Sequence, residues 1–237
     1  MTRLRHSALT HVGHIRKTNE DSILALPDQR IWVVSDGMGG HAAGDVASQI
    51  VVDAVATLPP QEDPGAQMQA LRRALQGAHA AILGEIEARG GVTMGATVVA
   101  FMVADAHFVC LWAGDSRLYR LRAGEIELLT TDHSVVGELV LAGEMTWDEA
   151  EHHPQSNAIT RAVGVGEALE LDKLRGEVAP GDRYLLCSDG LNKYASLKRL
   201  QSALTGVPIE TVSEKLLAIA LGGGGADNIS IIVVDVV

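Results

Sequence analysis

Long apolar runs, cysteines and positive charge are all scarce in this sequence. No stretch reaches the ~18 uninterrupted apolar residues that a membrane span requires. The leading segment MTRLRHSALTHVG also lacks the apolar core of a secretory signal. A cytoplasmic location is therefore expected. Cysteine occurs only as Cys110 and Cys187, each inside an apolar strand-like run, and both read as buried thiols compatible with a reducing compartment. Structural zinc is disfavoured, because it needs Cys and His at short spacing. The one close histidine pair, His152 and His153, is adjacent and cannot share a face. Lysine and arginine number 19 against 30 acidic residues, a formal net charge of −11. Such a surface repels phosphate polymers and anionic bilayers, so neither nucleic acid nor a membrane is expected as a partner. Any phosphate chemistry must rely on cations gathered locally.

What the chain does have is apolar content, 47% over 237 residues, enough for a full core. No internal repeat is evident, and the glycine run at 222–225 is too short for a linker, so residues 1–237 read as one domain. Residues 22–35 alternate and then run apolar, which predicts a strand. After a Gly-rich turn, Val46, Ile50, Ala54 and Leu58 predict a helix stopped by Pro59 and Pro60. A second helix is predicted over 65–89, with Leu71, Leu75, Ala78, Ile82 and Ile86 as its stripe. Short β-rich runs over 93–130 predict an antiparallel meander. Residues 132–163 form a polar excursion with one short helix at 147–150, and irregular chain of that length usually carries function. A strand at 183–188, helices near 196–204 and 209–221, and a strand from Ile229 complete the order. Helices paired between β blocks argue for an α+β sandwich rather than an alternating parallel sheet.

Aspartates recur at the edges of the apolar runs: Asp36 in IWVVSDG, Asp189 in RYLLCSDG, Asp227 in ADNISIIVV and Asp115 in FVCLWAGDS. Taken singly, an Asp-Gly pair is a turn former. Repetition of Ser-Asp-Gly behind two apolar runs, at 35–37 and 188–190, argues for more. Strands of one sheet would aim both side chains at one rim, and clustered carboxylates either rise in pKa or take a cation between them. Oxygen-rich sites of this kind suit Mg²⁺ or Mn²⁺. Paired divalent ions would present an activated water to a phosphoryl centre. A cation for the phosphate oxygens is then needed, and Arg16 in the polar segment RKTNED is well placed, although a charged surface loop would look the same.

Eight segments are in register with one family. RKTNED (16–21), SDGMGGH (35–41), GATVV (95–99), AGDSRLYRL (113–121), DHSVV (132–136), ITRAVG (159–164), CSDGL (187–191) and ADNIS (226–230) resemble, in order, the motifs of the bacterial protein phosphatase 2C-like enzymes. These are the metal-dependent Ser/Thr phosphatases of the PPM family, and the resemblance runs from about Gly13 to Val234. It implies a four-layer α-β-β-α sandwich, two mostly antiparallel sheets flanked by helix pairs. It also implies two to three Mn²⁺ or Mg²⁺ ions. Asp36 would bridge two of them, helped by the Gly37 carbonyl, and Asp189 and Asp227 would complete the first. Glu20 and Asp21 would serve the second, partly through water, and Asp115 with Asp189 a third.

Arg16 would clamp the substrate phosphate, Asn228 would support the site from behind, and 132–163 would be the flap beside it. Phosphorylated proteins and a cognate Ser/Thr kinase are the implied partners of a monomeric enzyme. No phosphoenzyme is expected, since neither cysteine lies in a phosphate-cradling loop. A hydrolase of small phosphate esters, or an inactive phosphoprotein-binding module on the same fold, are the alternatives. One departure stands out: eukaryotic members carry a histidine two residues after the bridging aspartate, and Met38 stands there, unable to donate a proton. His41, nearby, reads as a structural or solvent-facing residue at a helix start.

Overall fold

The computed structural model describes residues 3–39, 43–150 and 153–237, so the expectations for His41 and His152 lie outside the described residues. The first β block holds β1 (Leu4–His11), β2 (Asp21–Leu26) and β3 (Ile31–Gly39), followed by α1 (Gly44–Ala56) and α2 (Pro64–Ala88). Next come β4 (Met94–Ala96), β5 (Val98–Ala104), β6 (His107–Ala113), β7 (Arg117–Arg122) and β8 (Glu125–Leu128). The excursion contains α3 (Val135–Leu141) and α4 (Trp147–Ala150), and leads to β9 (Asp172–Glu177) and β10 (Arg183–Cys187). Helices α5 (Asp189–Asn192), α6 (Leu197–Leu204) and α7 (Ile209–Gly223) precede the last strand, β11 (Ile229–Val236).

Two sheets result, ordered β1-β11-β10-β7-β8 and β2-β3-β5-β6-β9, with β4 paired to β3 and every pairing antiparallel. Period-two alternation explains how they stack, because successive side chains leave opposite faces of a strand. In β3, Ile31 and Val33 enter the apolar layer beneath α1 and α2, whereas Trp32 and Val34 enter the layer between the sheets. In β10, Leu185 and Cys187 face α5–α7 while Tyr184 and Leu186 face inward. A strand apolar on both faces must be covered on both sides, and the four-layer α-β-β-α sandwich covers it. Among the described residues, no helix is long and apolar enough to cross a membrane.

Several local expectations need correction. Residues 22–35 are a hairpin rather than one strand, because Pro27 and Asp28 open a turn that places Arg30 at φ 57°. The 93–130 segment is not a single meander. Gly114, Asp115 and Ser116 carry the chain from β6 in one sheet to β7 in the other. Strands β1 and β9 lie at sheet edges and have polar sequences, LRHSALTH and DKLRGE, that conceal them. The excursion is also more ordered than expected: Ser134 Oγ accepts the Gly137 N–H and starts α3.

The inter-sheet layer concentrates the aromatics. Phe101 stacks against Tyr184 at 4.7 Å and Phe108 at 5.6 Å, and Phe108 meets Tyr184 at 5.3 Å. Since Phe101 is wholly buried among them, Phe101→Ala is expected to cost about 3–5 kcal/mol, read as a lowered urea midpoint. A loss under about 1 kcal/mol would mean that this layer does not hold the sheets together.

Candidate metal centre

The inter-sheet apolar layer ends in acid. On β3, Asp36 lies two residues beyond Val34 and so shares its inward face. Asp21 stands directly opposite Asp36 in the β2–β3 register. Side chains so opposed are about 5 Å apart at Cβ, close enough for like charges to repel. The other sheet brings Ser188 inward after Tyr184 and Leu186, places Asp189 at the start of α5, and places Asp227 just before β11. Asp115 comes from the crossover between sheets. Antiparallel pairing and one sheet change thus deliver five aspartates to one rim.

The surrounding hydrogen bonds fix the backbones that carry them. The Asp36 N–H donates to Thr97 Oγ1 (3.0 Å), and the Thr97 N–H donates back to the Asp36 carbonyl (2.8 Å). Ser188 Oγ donates to Asp21 Oδ2 (2.7 Å) and accepts the Ser230 N–H (3.0 Å), tying the two sheets at the rim. Asn228 accepts the Glu20 N–H (2.8 Å) and donates to the carbonyls of Val12 (2.9 Å) and Thr18 (3.0 Å). It therefore pins the loop that carries Arg16 and Glu20. Two glycines are demanded by close approach: a Cβ on Gly37 would collide with the Gly44 and Glu20 carbonyls, and one on Gly190 with the Asn228 carbonyl.

Arg16, Glu20, Asp36, Gly37, Met38, Asp115, Asp189, Asp227 and Asn228 all line one cleft of about 270 Å³. Asp21 is buried behind it, 6% exposed, opposite Asp36. Every expected site residue is thus gathered at this cleft or immediately behind it. Sequence reasoning missed Lys193, whose Nζ contacts Asp189 (2.7 Å) and Asp227 (3.3 Å). Its only signal was the four-residue offset from Asp189 on a helical turn. Asn157 and Ile159 of the excursion also line the cleft. His153 is not among its lining residues; its Nδ1 accepts the Gln155 N–H in the excursion.

The excursion is held at both roots. Thr160 N–H donates to the His133 carbonyl, and Ala96 and Val163 exchange two backbone bonds of 2.8 and 2.9 Å. Asp132 accepts the Arg117 guanidinium at 2.7–3.1 Å. Arg117 in turn stacks under Trp147 of α4, 4.5 Å from the ring centroid.

Electrostatics explain what the rim demands. Burial, then the neighbouring Asp21, Asp189, Asp115 and Asp227, push Asp36 well above the carboxylate range. Burial, then Asp189 and Asp132, raise Asp115 against the pull of Arg117. Burial pushes Asp21 up to about 7 despite its serine hydrogen bonds. Glu20 is raised mainly by burial. Asp227 is the exception: burial works upward, but Lys193 and Arg16 hold it below its ordinary value. Arg16 meets Asp227 through Nε (2.9 Å) and a terminal nitrogen (3.1 Å).

Among the described residues, no three carboxylates, thiols or imidazoles close around a single point. Lys193 and Arg16 supply the counter-charge at Asp189 and Asp227 instead. The donor set nevertheless fits hard divalent ions. Asp21 Oδ1 and Asp115 Oδ1 are buried without a hydrogen-bond partner, and among the described residues the cleft lining contains no thiol or imidazole beside its carboxylates and carbonyl. Buried acids with raised pKa values bind more protons folded than unfolded, so they destabilise the fold as pH rises. In chelator, melting temperature should therefore fall between about pH 4 and about pH 7, the window set by the shift of Asp21 from 3.8 to about 7. Asp36→Asn should flatten that fall; a melting temperature that climbs across the window in chelator would contradict the placement of these acids.

The description "Protein phosphatase 2C" matches residues 13–218. PstP of Mycobacterium tuberculosis, a serine/threonine protein phosphatase, is 40% identical over 235 residues, which is 99% of this chain and 45% of PstP. The chain thus spans under half the length of that relative. A solved PstP catalytic domain in complex with two manganese ions superposes with TM-score 0.91 at 38% identity, covering 100% of both chains. Protein phosphatase PhpP of Streptococcus pneumoniae is 34% identical over 238 residues, 97% of this chain and 96% of PhpP. The solved structure of PppA, described as a key regulatory component of T6SS in Pseudomonas aeruginosa, gives TM-score 0.92 at 43% identity, covering 99% of this chain and 98% of PppA. With its motifs in order, its two sheets stacked and its aspartates at one rim, the chain belongs to the protein phosphatase 2C family.

Proposed function

We propose that this chain hydrolyses phosphoserine and phosphothreonine on proteins, using divalent cations held at the carboxylate rim. The observation that carries this reading is the convergence of Asp21, Asp36, Asp115, Asp189 and Asp227 beside Arg16 and Lys193. Two relatives named as protein phosphatases, and the two manganese ions in the PstP catalytic domain, support it. Asp36 would help to hold two of the ions, with the Gly37 carbonyl as a further ligand. Asp189 and Asp227 would hold the first ion, Glu20 and Asp21 the second, and Asp115 with Asp189 a third. Mn²⁺ and Mg²⁺ both suit these oxygens. When bound, such ions supply a water nucleophile near neutral pH and neutralise charge on the phosphoryl group.

The remaining work falls to the chain's own side chains. Arg16 already forks onto a carboxylate, and the same fork fits two non-bridging oxygens of a phosphate. It would exchange Asp227 for the substrate. Lys193 stays charged between Asp189 and Asp227, because those carboxylates outweigh the burial that opposes its charge. It holds the two acids together. Met38 lines the cleft but carries no proton for the leaving alkoxide. Cys110 and Cys187 are buried in strands, and burial pushes the Cys110 thiol upward, so direct attack by water is favoured over a phosphocysteine. The setting proposed is a cytoplasmic, monomeric catalytic domain removing phosphate placed by a Ser/Thr kinase.

Hydrolysis of p-nitrophenyl phosphate should require Mn²⁺, stop in EDTA and fall at least ~1000-fold in Asp36→Asn. Full activity in chelator would sink the mechanism. Arg16→Ala should lower kcat/KM about 100-fold while leaving Mn²⁺ affinity unchanged. Equal losses in metal affinity would show that Arg16 is not the clamp. Phosphothreonine peptides compared with nucleotides, in Mn²⁺ and in Mg²⁺, separate a protein phosphatase from a hydrolase of small esters.

A further inference from the structure

A second cavity, of about 410 Å³, opens beside the first, lined by Arg117, Tyr119, Trp147, Asn192, Lys193 and Arg199 among others. A small pocket, here the neck, shares lining residues with both. Arg117, Asn192 and Lys193 line both this cavity and the neck, and Asp115, Asn157, Asp189 and Lys193 line both the neck and the cleft. Whatever fills the lateral cavity therefore sits next to whatever fills the cleft. The mechanism proposed above makes no use of it.

Three observations give this space its chemistry. The first is an orphan donor. Asn192 is 5% exposed, and its Nδ2 is buried with no hydrogen-bond partner. The orientation of this amide is fixed by its neighbours. An Arg117 N–H donates to the Tyr119 hydroxyl (3.3 Å), leaving the Tyr119 proton for Asn192 Oδ1 (3.0 Å), which also accepts from Cys187 Sγ (3.3 Å). With Oδ1 committed twice, Nδ2 is what Asn192 has left for a ligand, and an N–H₂ group asks for an acceptor.

The second is the start of α6, an eight-residue helix whose N-cap, Ser196, lines the cavity and places no side-chain cap on it. Its first turn holds no acid but carries Lys198 and Arg199. Cations are unfavourable at the positive end of a helix dipole unless an anion is meant to sit between them. The third is charge balance. Asp132 neutralises Arg117, and Asp189 with Asp227 neutralise Lys193. Arg199 is exposed, forms no ion pair among the described residues, and spends one nitrogen on the Tyr194 carbonyl (3.2 Å). Residues with a spare donor and a spare positive charge thus line a cavity in a protein of net charge −11.

We propose that the lateral cavity is an accessory subsite for a second acidic group, phosphate or carboxylate, on the same phosphoprotein substrate. The inference rests on the phosphatase reading and deepens it by naming a substrate class, segments with a second anion close to the scissile phosphate. Arg199 and the α6 amides receive the anion, Asn192 Nδ2 donates to it, and Trp147, stacked on Arg117, walls it in.

Steady-state kcat/KM with Mn²⁺ should be compared for phosphothreonine peptides that differ at one nearby position, on either side, bearing alanine, glutamate or phosphoserine. The wild-type chain should prefer at least one anionic arm over alanine by about tenfold, as one charge-assisted hydrogen bond provides. Preference for phosphoserine alone identifies a second phosphate as the ligand; equal preference for glutamate identifies any acidic side chain. Arg199→Glu, at an exposed position, and Asn192→Asp, nearly isosteric with both Oδ1 bonds retained, should each bring the ratio to about one or below. A wild-type ratio near one, with all peptides hydrolysed, overturns the subsite and leaves the phosphatase reading intact. An undiminished ratio in both variants also overturns it. Hydrolysis of p-nitrophenyl phosphate but of no peptide overturns the protein-substrate reading and the subsite with it.

Discussion

Mutual repulsion among buried carboxylates is the constraint on which this site depends. Asp21 and Asp36 oppose each other across one antiparallel pair, and Asp115 and Asp189 crowd the same rim. Nothing in the fold would gather these groups for stability. Asp21, Asp36 and Asp115 are pushed upward by burial and by neighbouring carboxylates, and two of their oxygens have no hydrogen-bond partner. Strain of this kind, kept inside a well-packed sandwich, is characteristic of a site whose charges are balanced from outside the chain.

The sandwich makes the arrangement possible because it is stiff. Three apolar layers, each closed by strand alternation, leave the rim little freedom to open and solvate its acids. Serine and asparagine side chains then lock the participating loops: Ser188 joins the two sheets, and Asn228 fastens the segment carrying Arg16 and Glu20. Lys193 and Arg16 form ion pairs with Asp189 and Asp227, the counter-charge that the chain provides at the outer side of the rim. The inner pair, Asp21 and Asp36, forms no ion pair among the described residues. That asymmetry is the physical reason to place ions there.

Much of this was legible in the sequence, and the exceptions have physical causes. Asp36 and Asp189 announced themselves because an apolar run followed by Ser-Asp-Gly can hardly be other than a buried strand ending in a turn. Asp21 and Glu20 were visible only through the family resemblance, since a polar segment gives no sign of folding back against β3. Lys193 escaped because one lysine after an acidic turn is ordinary on a surface helix. Strands β1 and β9 escaped because an edge strand is paired on one side only and tolerates a polar sequence. The crossover at Gly114, Asp115 and Ser116 was read as another turn of a meander, yet it is what brings Asp115 to the rim. Sequence periodicity reports which face is buried, not which sheet a strand joins.

Calorimetric titration of Mn²⁺ into the metal-free chain, paired with melting curves, tests most directly whether the rim is built for cations. Saturable binding of more than one ion per chain, with a melting temperature that rises with ion concentration, is the predicted result. In Asp36→Asn both the binding and the rise should largely disappear. Absence of binding heat together with an unchanged melting temperature in the wild-type chain would contradict the account.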